Sequence, residues 1–312
     1  MRPESAVPGT PPETAAVIQG KLAVPALPEP RVERPRVEGA LAALMERHRL
    51  VVVSATAGAG KTTAVAAAVR TLSREVAWLT LDWSDAAPGR LVTYLEAALA
   101  RCLPQIGGRA TGALAAGIPH GEAAGLLAEA VGDAHVVLVL DELERLGDAT
   151  EAWDVIETFL RYASPATSTV LVSRRAIPTT VAPLPSAAGL GESELSFTTA
   201  EAGQALARIG APGVDAAAAV EATGGWVTGV LFEAWRSDEH VAGMGGEADP
   251  LHGYLATHIV GQLDPRDAEF LVATSLLDEV TAARATVLGQ PDAAERLAAL
   301  RAAHLPVTWS AD

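Results

Sequence analysis

The sequence predicts an α/β fold, a parallel sheet of five strands with helices on both faces, with a smaller helical half behind it. Residues 50–54 and 135–140 are short, continuous runs rich in valine and leucine, the pattern of strands buried on both faces of a parallel sheet. These and similar runs alternate with longer helical stretches, as strand–helix–strand units require. After Phe197 the strand pattern largely stops and helical periodicity takes over.

Taken in order, residues 1–35 carry Pro3, Pro8, Pro11, Pro12, Pro25, Pro28, Pro30 and Pro35, which predicts an extended or loosely held segment. Residues 36–49 form a helix whose apolar face is Val37, Leu41, Leu44 and Met45. A glycine-rich turn at 55–60 separates the strand 50–54 from an alanine-rich helix at 61–72. Strands follow at 75–81, 135–140 and 168–173, with helices at 88–103, 122–131 and 151–162. Residues 107–121 read as a flexible, glycine-rich insertion, and 192–197 as the fifth strand. Thr198 to Glu201 has the spacing of a capping box, so a helix starts there and runs to about Ile209. Further helices fit 215–222 and 227–235, a linker 239–250, helices 252–263, 265–276 and 293–302, and a terminal strand 305–309. Three helices closed by a strand predict a winged helix. The expected domains are a Pro-rich segment (1–35), the sheet domain (36–197), a helical domain (198–247) and a winged-helix domain (248–312).

Composition narrows the function. Of 312 residues, 49% are hydrophobic and 20% charged, enough apolar surface for a sizeable core and the wrong balance for disorder. The net charge of −15 argues against nucleic acid or an anionic membrane as a partner of the whole chain. No run is apolar and long enough to cross a membrane, and the N-terminus lacks the apolar core of a signal peptide. The expectation is a soluble, cytoplasmic protein, in keeping with a single cysteine, Cys102, read as a packing residue. The seven histidines show no metal-ligand spacing. Basic residues divide unevenly, 21 arginines against two lysines, Lys21 and Lys61.

Lys61 lies in Ala55-Thr56-Ala57-Gly58-Ala59-Gly60-Lys61-Thr62, a phosphate-binding loop with alanine for the first glycine. Backbone N–H groups of Ala57, Gly58, Ala59 and Gly60 curl round a β-phosphate, and the helix starting at Lys61 turns its positive end to the anion. Lys61 reaches the β- and γ-phosphates, the Thr62 hydroxyl ligates Mg²⁺, and Thr63 is in reach of the α-phosphate. Lys21 also follows a glycine but is a decoy. Leu22 stands where the hydroxyl belongs, β-branched Val17 and Ile18 fill the would-be loop, and no strand precedes it. Nothing in the sequence demands a lysine there.

Asp141 and Glu142 directly follow the strand 135–140, at the sheet edge where ligands of open α/β folds bind. The first acid is the Mg²⁺-side carboxylate and the second polarises an attacking water. Arg174 ends the strand 168–173 at the same edge and is the candidate γ-phosphate sensor, ahead of Arg175. An acidic-pair strand between the loop strand and this one points to the AAA and STAND classes.

These segments together with Val32-Glu33-Arg34-Pro35-Arg36-Val37, Val76 to Asp82 and Thr223-Gly224-Gly225-Trp226 resemble the nucleotide-binding module of MalT-type regulators, in the STAND class of signal-transduction ATPases. The resemblance runs from about Lys21 to the last residue. It implies a slow ATPase acting as a switch, closed with ADP and opened by an inducer and ATP to self-associate, with the winged helix as a lid. It also implies an adenine-side role for Arg34. Trp226 reads as a core residue, and Val227 stands where the family usually has proline. The sensor repeats and LuxR-type helix-turn-helix of that family are absent from these residues, so the expectation is a fragment or a separate effector. Residues 248–312 carry nine acids, four arginines and no lysine, against DNA contact by this chain. The alternatives are an AAA-type motor or loader acting on DNA or protein, and a scaffold that binds nucleotide without hydrolysis.

Overall fold

A computed structural model describes residues 17–178, 180–181, 187–237, 261 and 263–302. The apolar runs become strands β1 (Leu50–Ser54), β2 (Glu75–Thr80), β3 (Val136–Asp141) and β4 (Ser168–Ser173), with a short β5 (Ala187–Leu190). They form one sheet in the order β2-β3-β4-β1-β5, and β1 pairs in parallel with both β4 and β5. Every residue of β3 and β4 is buried, as their unbroken apolar sequences require.

The chain divides into two compact units. The first takes the described residues up to Ala23, Arg74–Leu140 and Arg145–Thr167. Here α3 (Pro88–Ala100), α4 (Arg109–Ala115), α5 (His120–Val131) and α6 (Thr150–Tyr162) accompany β2 and β3. The predicted insertion at 107–121 is largely helical. The buried Glu96 carboxylate of α3 accepts the Ala110 N–H at 2.6 Å and the Thr111 hydroxyl at 2.6 Å, capping α4 from outside. Local glycine content gave no hint of that distant cap.

In the same unit Lys21 corrects the reading of it as a residue without a role. It is buried in a turn at Gln19–Leu22, donates to Asp82 at 3.1 Å and to Asp85, and lies 4.3 Å from the Tyr94 ring centroid. Asp85 is fully buried and also faces Arg90 at 3.3 Å. The Tyr94 hydroxyl accepts the Ile18 N–H at 3.1 Å, fixing the entering chain beside the ion pair.

The second unit takes Val24–Ser73, Asp141–Glu144 and the described residues from Ser168 onward. It holds α1 (Pro35–Arg47), α2 (Lys61–Val69) and β1, β4 and β5. Val37, Leu41 and Met45 of α1 are buried, as predicted for its apolar face. The predicted fifth strand at 192–197 is not a strand. Residues Glu192–Leu195 make one helical turn, α7, whose Glu194 carboxylate caps the Gly191 N–H at 2.9 Å. The alternation of acids with Leu195 and Phe197 imitates a strand, while the actual β5 is built from small residues on the sheet edge beside β1.

Beyond it come α8 (Thr199–Arg208), α9 (Ala216–Thr223) and α10 (Val227–Ser237), around a core of Phe197, Leu206, Ala219 and Val230. The capping box forms as expected, the Thr198 hydroxyl accepting the Glu201 N–H and the Glu201 carboxylate the Thr198 N–H. Next are α11 (Pro265–Thr274), α12 (Ala282–Val287), which the sequence reading missed, and α13 (Ala293–Ala302), sharing a core of Phe270, Ala285, Ala293 and Leu300. The predicted linker 239–250, all but the end of the helix 252–263 and the strand 305–309 lie outside the described residues.

Removing one partner of a buried ion pair leaves the other charge uncompensated, at about 3 kcal/mol. Lys21→Met therefore lowers the free energy of unfolding by about that amount, read from the urea midpoint, and adding Asp85→Asn recovers part of the loss.

Candidate functional site

All the residues that the sequence singles out as phosphate-side come together in the second unit, at the C-terminal edge of β1, β3 and β4. The chain leaves β1 into the loop, where Gly58 and Gly60 have φ of +76° and +82°, a region that costs a side chain energy and glycine little. Gly60 caps α2, and Lys61 opens it. The amides of Ala57, Gly58 and Gly60 have no hydrogen-bond partner among the described residues, and the first-turn N–H groups of α2 are unpaired by construction. A cradle of unpaired donors at a helix N-terminus suits a phosphate group. The Ala59 N–H is the exception, spent within the loop on Thr56 O at 3.3 Å.

The Lys61 ammonium donates to the carbonyls of Ala55 and Thr56, at 2.7 Å each. Burial pushes its pKa down, and Glu144, Glu192 and Asp141 oppose that shift. The Thr62 hydroxyl donates to Asp141 Oδ1 at 3.1 Å, joining the two residues read as the Mg²⁺ side. Burial raises the Asp141 carboxyl to about 6, against the Thr62 hydrogen bond, with Glu142 adding to the rise. Oxygen donors of this kind suit Mg²⁺, which takes one or two protein ligands and completes its shell with water and phosphate. Among the described residues no group of three or more His, Cys, Asp or Glu is arranged to hold a metal alone.

Glu142 has φ of +59°, the one positive value among the described non-glycine residues. A glutamate in this region costs about 1 kcal/mol or more, and such strain collects at functional sites. Its N–H donates to Asp141 Oδ1 at 3.0 Å, tying the Glu142 backbone to the Asp141 carboxylate. Arg174 follows β4. Its Nε and its backbone N–H both meet the Glu144 carboxylate, at 3.2 and 3.1 Å. Arg175 is exposed and bonds through its backbone to Ser173 and Ser54.

A cavity of about 340 Å³ adjoins the loop, lined among others by Gly58, Gly60, Thr63, Arg34, Phe197 and Val227. Arg34 is buried there. It donates to Leu195 O at 2.7 Å and Ser196 O at 3.1 Å, faces Glu201 at 3.5 Å, and stacks 4.9 Å from the Phe197 ring centroid. Both hydrogen bonds come from one guanidinium nitrogen, Nη2, while the buried Nε faces Glu201 without a hydrogen bond among the described residues. Sequence reasoning missed Glu144 and Glu192. The spacing Asp141, Glu142, Glu144 was the available signal for the first. For Glu192 there was none, since its carboxylate accepts the Thr56 N–H at 2.7 Å and hydroxyl at 2.9 Å across 136 positions.

Known proteins resemble the chain in two ways. The MalT winged helix domain family matches residues 256–312. The serine/threonine-protein kinase PknK of Mycobacterium tuberculosis is 26% identical over 275 residues, covering 78% of this chain and 23% of the relative. The HTH-type transcriptional regulator MalT of Serratia proteamaculans is 28% identical over 284 residues, covering 84% of this chain and 30% of the relative. The chain thus spans less than a third of the length of these curated relatives. The Walker-type ATPase PABY2304 of Pyrococcus abyssi has the same fold, with a TM-score of 0.54 at 13% identity over 88% of this chain and 91% of that one. The chain is similar to MalT-type regulators in sequence and to a Walker-type ATPase in fold. No helix among the described residues is long and apolar enough to cross a membrane.

A carboxyl raised from 3.8 to about 6 binds its proton more tightly in the folded state, so folding stability falls as pH rises through that window. Without nucleotide, Asp141→Asn is about 2 kcal/mol more stable than wild type above pH ~7, and the gain vanishes by pH ~4. Urea unfolding across that range measures it.

Proposed function

We propose that the chain is an ATP- and ADP-binding switch module of the STAND type, which hydrolyses ATP slowly and serves a transcriptional regulator. The observation that carries this reading is the junction of Thr62 and Asp141 beside Lys61, with Glu142 and Arg174 at the same sheet edge. Lys61 exchanges the Ala55 and Thr56 carbonyls for β- and γ-phosphate oxygens, and the amides of Ala57, Gly58, Gly60 and Lys61 surround the β-phosphate. Thr63 takes the α-phosphate, and Arg34 closes the cavity on the adenine side. Thr62 and Asp141 would hold Mg²⁺, which neutralises charge on the phosphate oxygens when bound. Glu142 accepts a proton from the attacking water, and Arg174, oriented by Glu144, meets the γ-phosphate.

A kinase and a transcriptional regulator share with this chain only a segment of their length, which supports a regulatory module rather than either protein's output. Self-association in the ATP state and a sensor or effector outside these residues follow from the same reading. The acidic winged-helix region supports a lid over a DNA-reading role.

Lys61→Ala abolishes ATP and ADP binding in calorimetry, whereas Glu142→Gln binds ATP normally and releases phosphate at least ~100-fold more slowly. Unchanged binding in Lys61→Ala overturns the reading. Rapid wild-type turnover stimulated by DNA would instead indicate an AAA-type motor, and binding without phosphate release a scaffold. Arg174→Ala weakens ATP about tenfold more than ADP, and equal losses remove its γ-phosphate role.

A further inference from the structure

Three successive residues of the phosphate loop are held by groups from the segment beyond β5. The Thr56 N–H and hydroxyl go to Glu192. The Ala57 carbonyl accepts the Trp226 indole N–H at 2.9 Å. The Gly58 carbonyl accepts both the N–H and the hydroxyl of Thr228, at 3.2 and 2.9 Å. Val227, between them, reaches to 3.9 Å of where a Cβ on Gly60 would lie. None of these groups is a phosphate ligand in the reading above.

A peptide unit is planar, so fixing a carbonyl fixes the N–H of the next residue on the opposite side. The Trp226 bond sets the Gly58 amide in this way, and the Thr228 bonds set the Ala59 amide, whose N–H closes the turn onto Thr56 O. The Glu192 bond to the Thr56 N–H sets the Ala55 carbonyl, one of the two that hold Lys61. Glycines turn freely, so without such bonds a peptide unit at Gly58 flips at little cost and presents an oxygen where a donor belongs. An acceptor facing a phosphate converts an attraction into a repulsion.

We propose that Glu192, Trp226 and Thr228 are positioning residues, a clasp that fixes three peptide planes of the loop so that the Gly58 N–H faces the cradle, the Ala55 carbonyl faces Lys61 and the Ala59 N–H closes the turn onto Thr56 O. This rests on the reading of the site as a nucleotide site. The Gly-Gly-Trp sequence acquires a purpose from it. Gly225, at φ +76°, brings its backbone against Phe197, where a Cβ would meet the Phe197 carbonyl at 2.6 Å, and this delivers Trp226 to the loop.

The full chain is compared as wild type, Thr228→Val, Thr228→Ser, Glu192→Gln and Trp226→Phe/Thr228→Val. In ADP titration, Thr228→Val weakens binding about fivefold and the double variant at least about tenfold, while Thr228→Ser restores wild-type affinity. Glu192→Gln, which keeps an acceptor for Thr56, binds within about threefold of wild type. In the nucleotide-free chain, ¹⁵N relaxation of the Gly58 and Ala59 amides drops from order parameters of about 0.85 to below about 0.6 in the double variant, with β1 and β4 unchanged. Wild-type affinity and relaxation in the double variant overturn the proposal. So does a Thr228→Ser as weak as Thr228→Val, or a loss of order spread evenly through β1 and α2. If wild type and Lys61→Ala bind nucleotide alike, the site reading fails, and the nucleotide-free relaxation still decides the clasp.

Discussion

A loop that receives phosphate on its own backbone must keep most of its N–H groups free, and here a single bond, from the Ala59 N–H to Thr56 O, joins two of its own amides. Its shape has to be imposed through its carbonyls. All four from Ala55 to Gly58 are engaged, the first two by Lys61 and the next two by Trp226 and Thr228. Strand β1 anchors the loop at one end and α2 at the other, while the helices beyond β5 support its middle. The second unit is organised around that need. Small residues in β5 bring the chain close beside β1, one turn of helix carries Glu192 to Thr56, and Gly225 lets Trp226 reach Ala57.

Electrostatics at the same place work against stability. Asp141, Glu144 and Glu192 act on one buried ammonium, and the Asp141 carboxyl is raised to about 6, first by burial, with Glu142 and Glu144 adding smaller repulsions. Glu142 adds backbone strain. A site with surplus carboxylates and one strained acid is poised to gain from a cation, whereas the buried ion pair of Lys21 with Asp85 is already satisfied. The two lysines of the chain thus illustrate two uses of a compact charge. One closes a structural pair, and the other is held by carbonyls that can be exchanged for phosphate oxygens.

What was legible in the sequence was whatever is contiguous. The loop 55–62, the acids 141 and 142 and the arginine after β4 act through neighbours in the chain, so their spacing carries their chemistry. The buried strands were legible because burial on both faces removes polar residues. Glu192 and Thr228 were not, because their partners lie 136 and 170 positions away and neither residue is unusual in its own surroundings. Residues 107–121 misled for the same reason, as the cap on α4 comes from Glu96. At 192–197 the alternation of acidic and apolar residues was real, but the acids serve as a cap and a loop anchor rather than a solvated strand face. The role of Lys21 leaves no local trace either, since its partners Asp82 and Asp85 lie 61 and 64 positions away.

Val227 shows how a departure from a family pattern can leave a mechanism intact. It is the first residue of α10, where the N–H has no intrahelical acceptor and proline is readily accommodated. The bond to the loop uses the N–H of Thr228, the next residue, so valine or proline at 227 serves the grip on Gly58 equally well. What valine adds is a branched side chain packed toward Gly60 and lining the cavity. Trp226, one position earlier, packs its ring against the core of Phe270, Ala285, Ala293 and Leu300 while its N–H holds Ala57. One indole is therefore shared by the phosphate loop and the last helices of the chain. Any rearrangement that withdraws those helices must either strip the indole of its packing or pull its N–H from the loop.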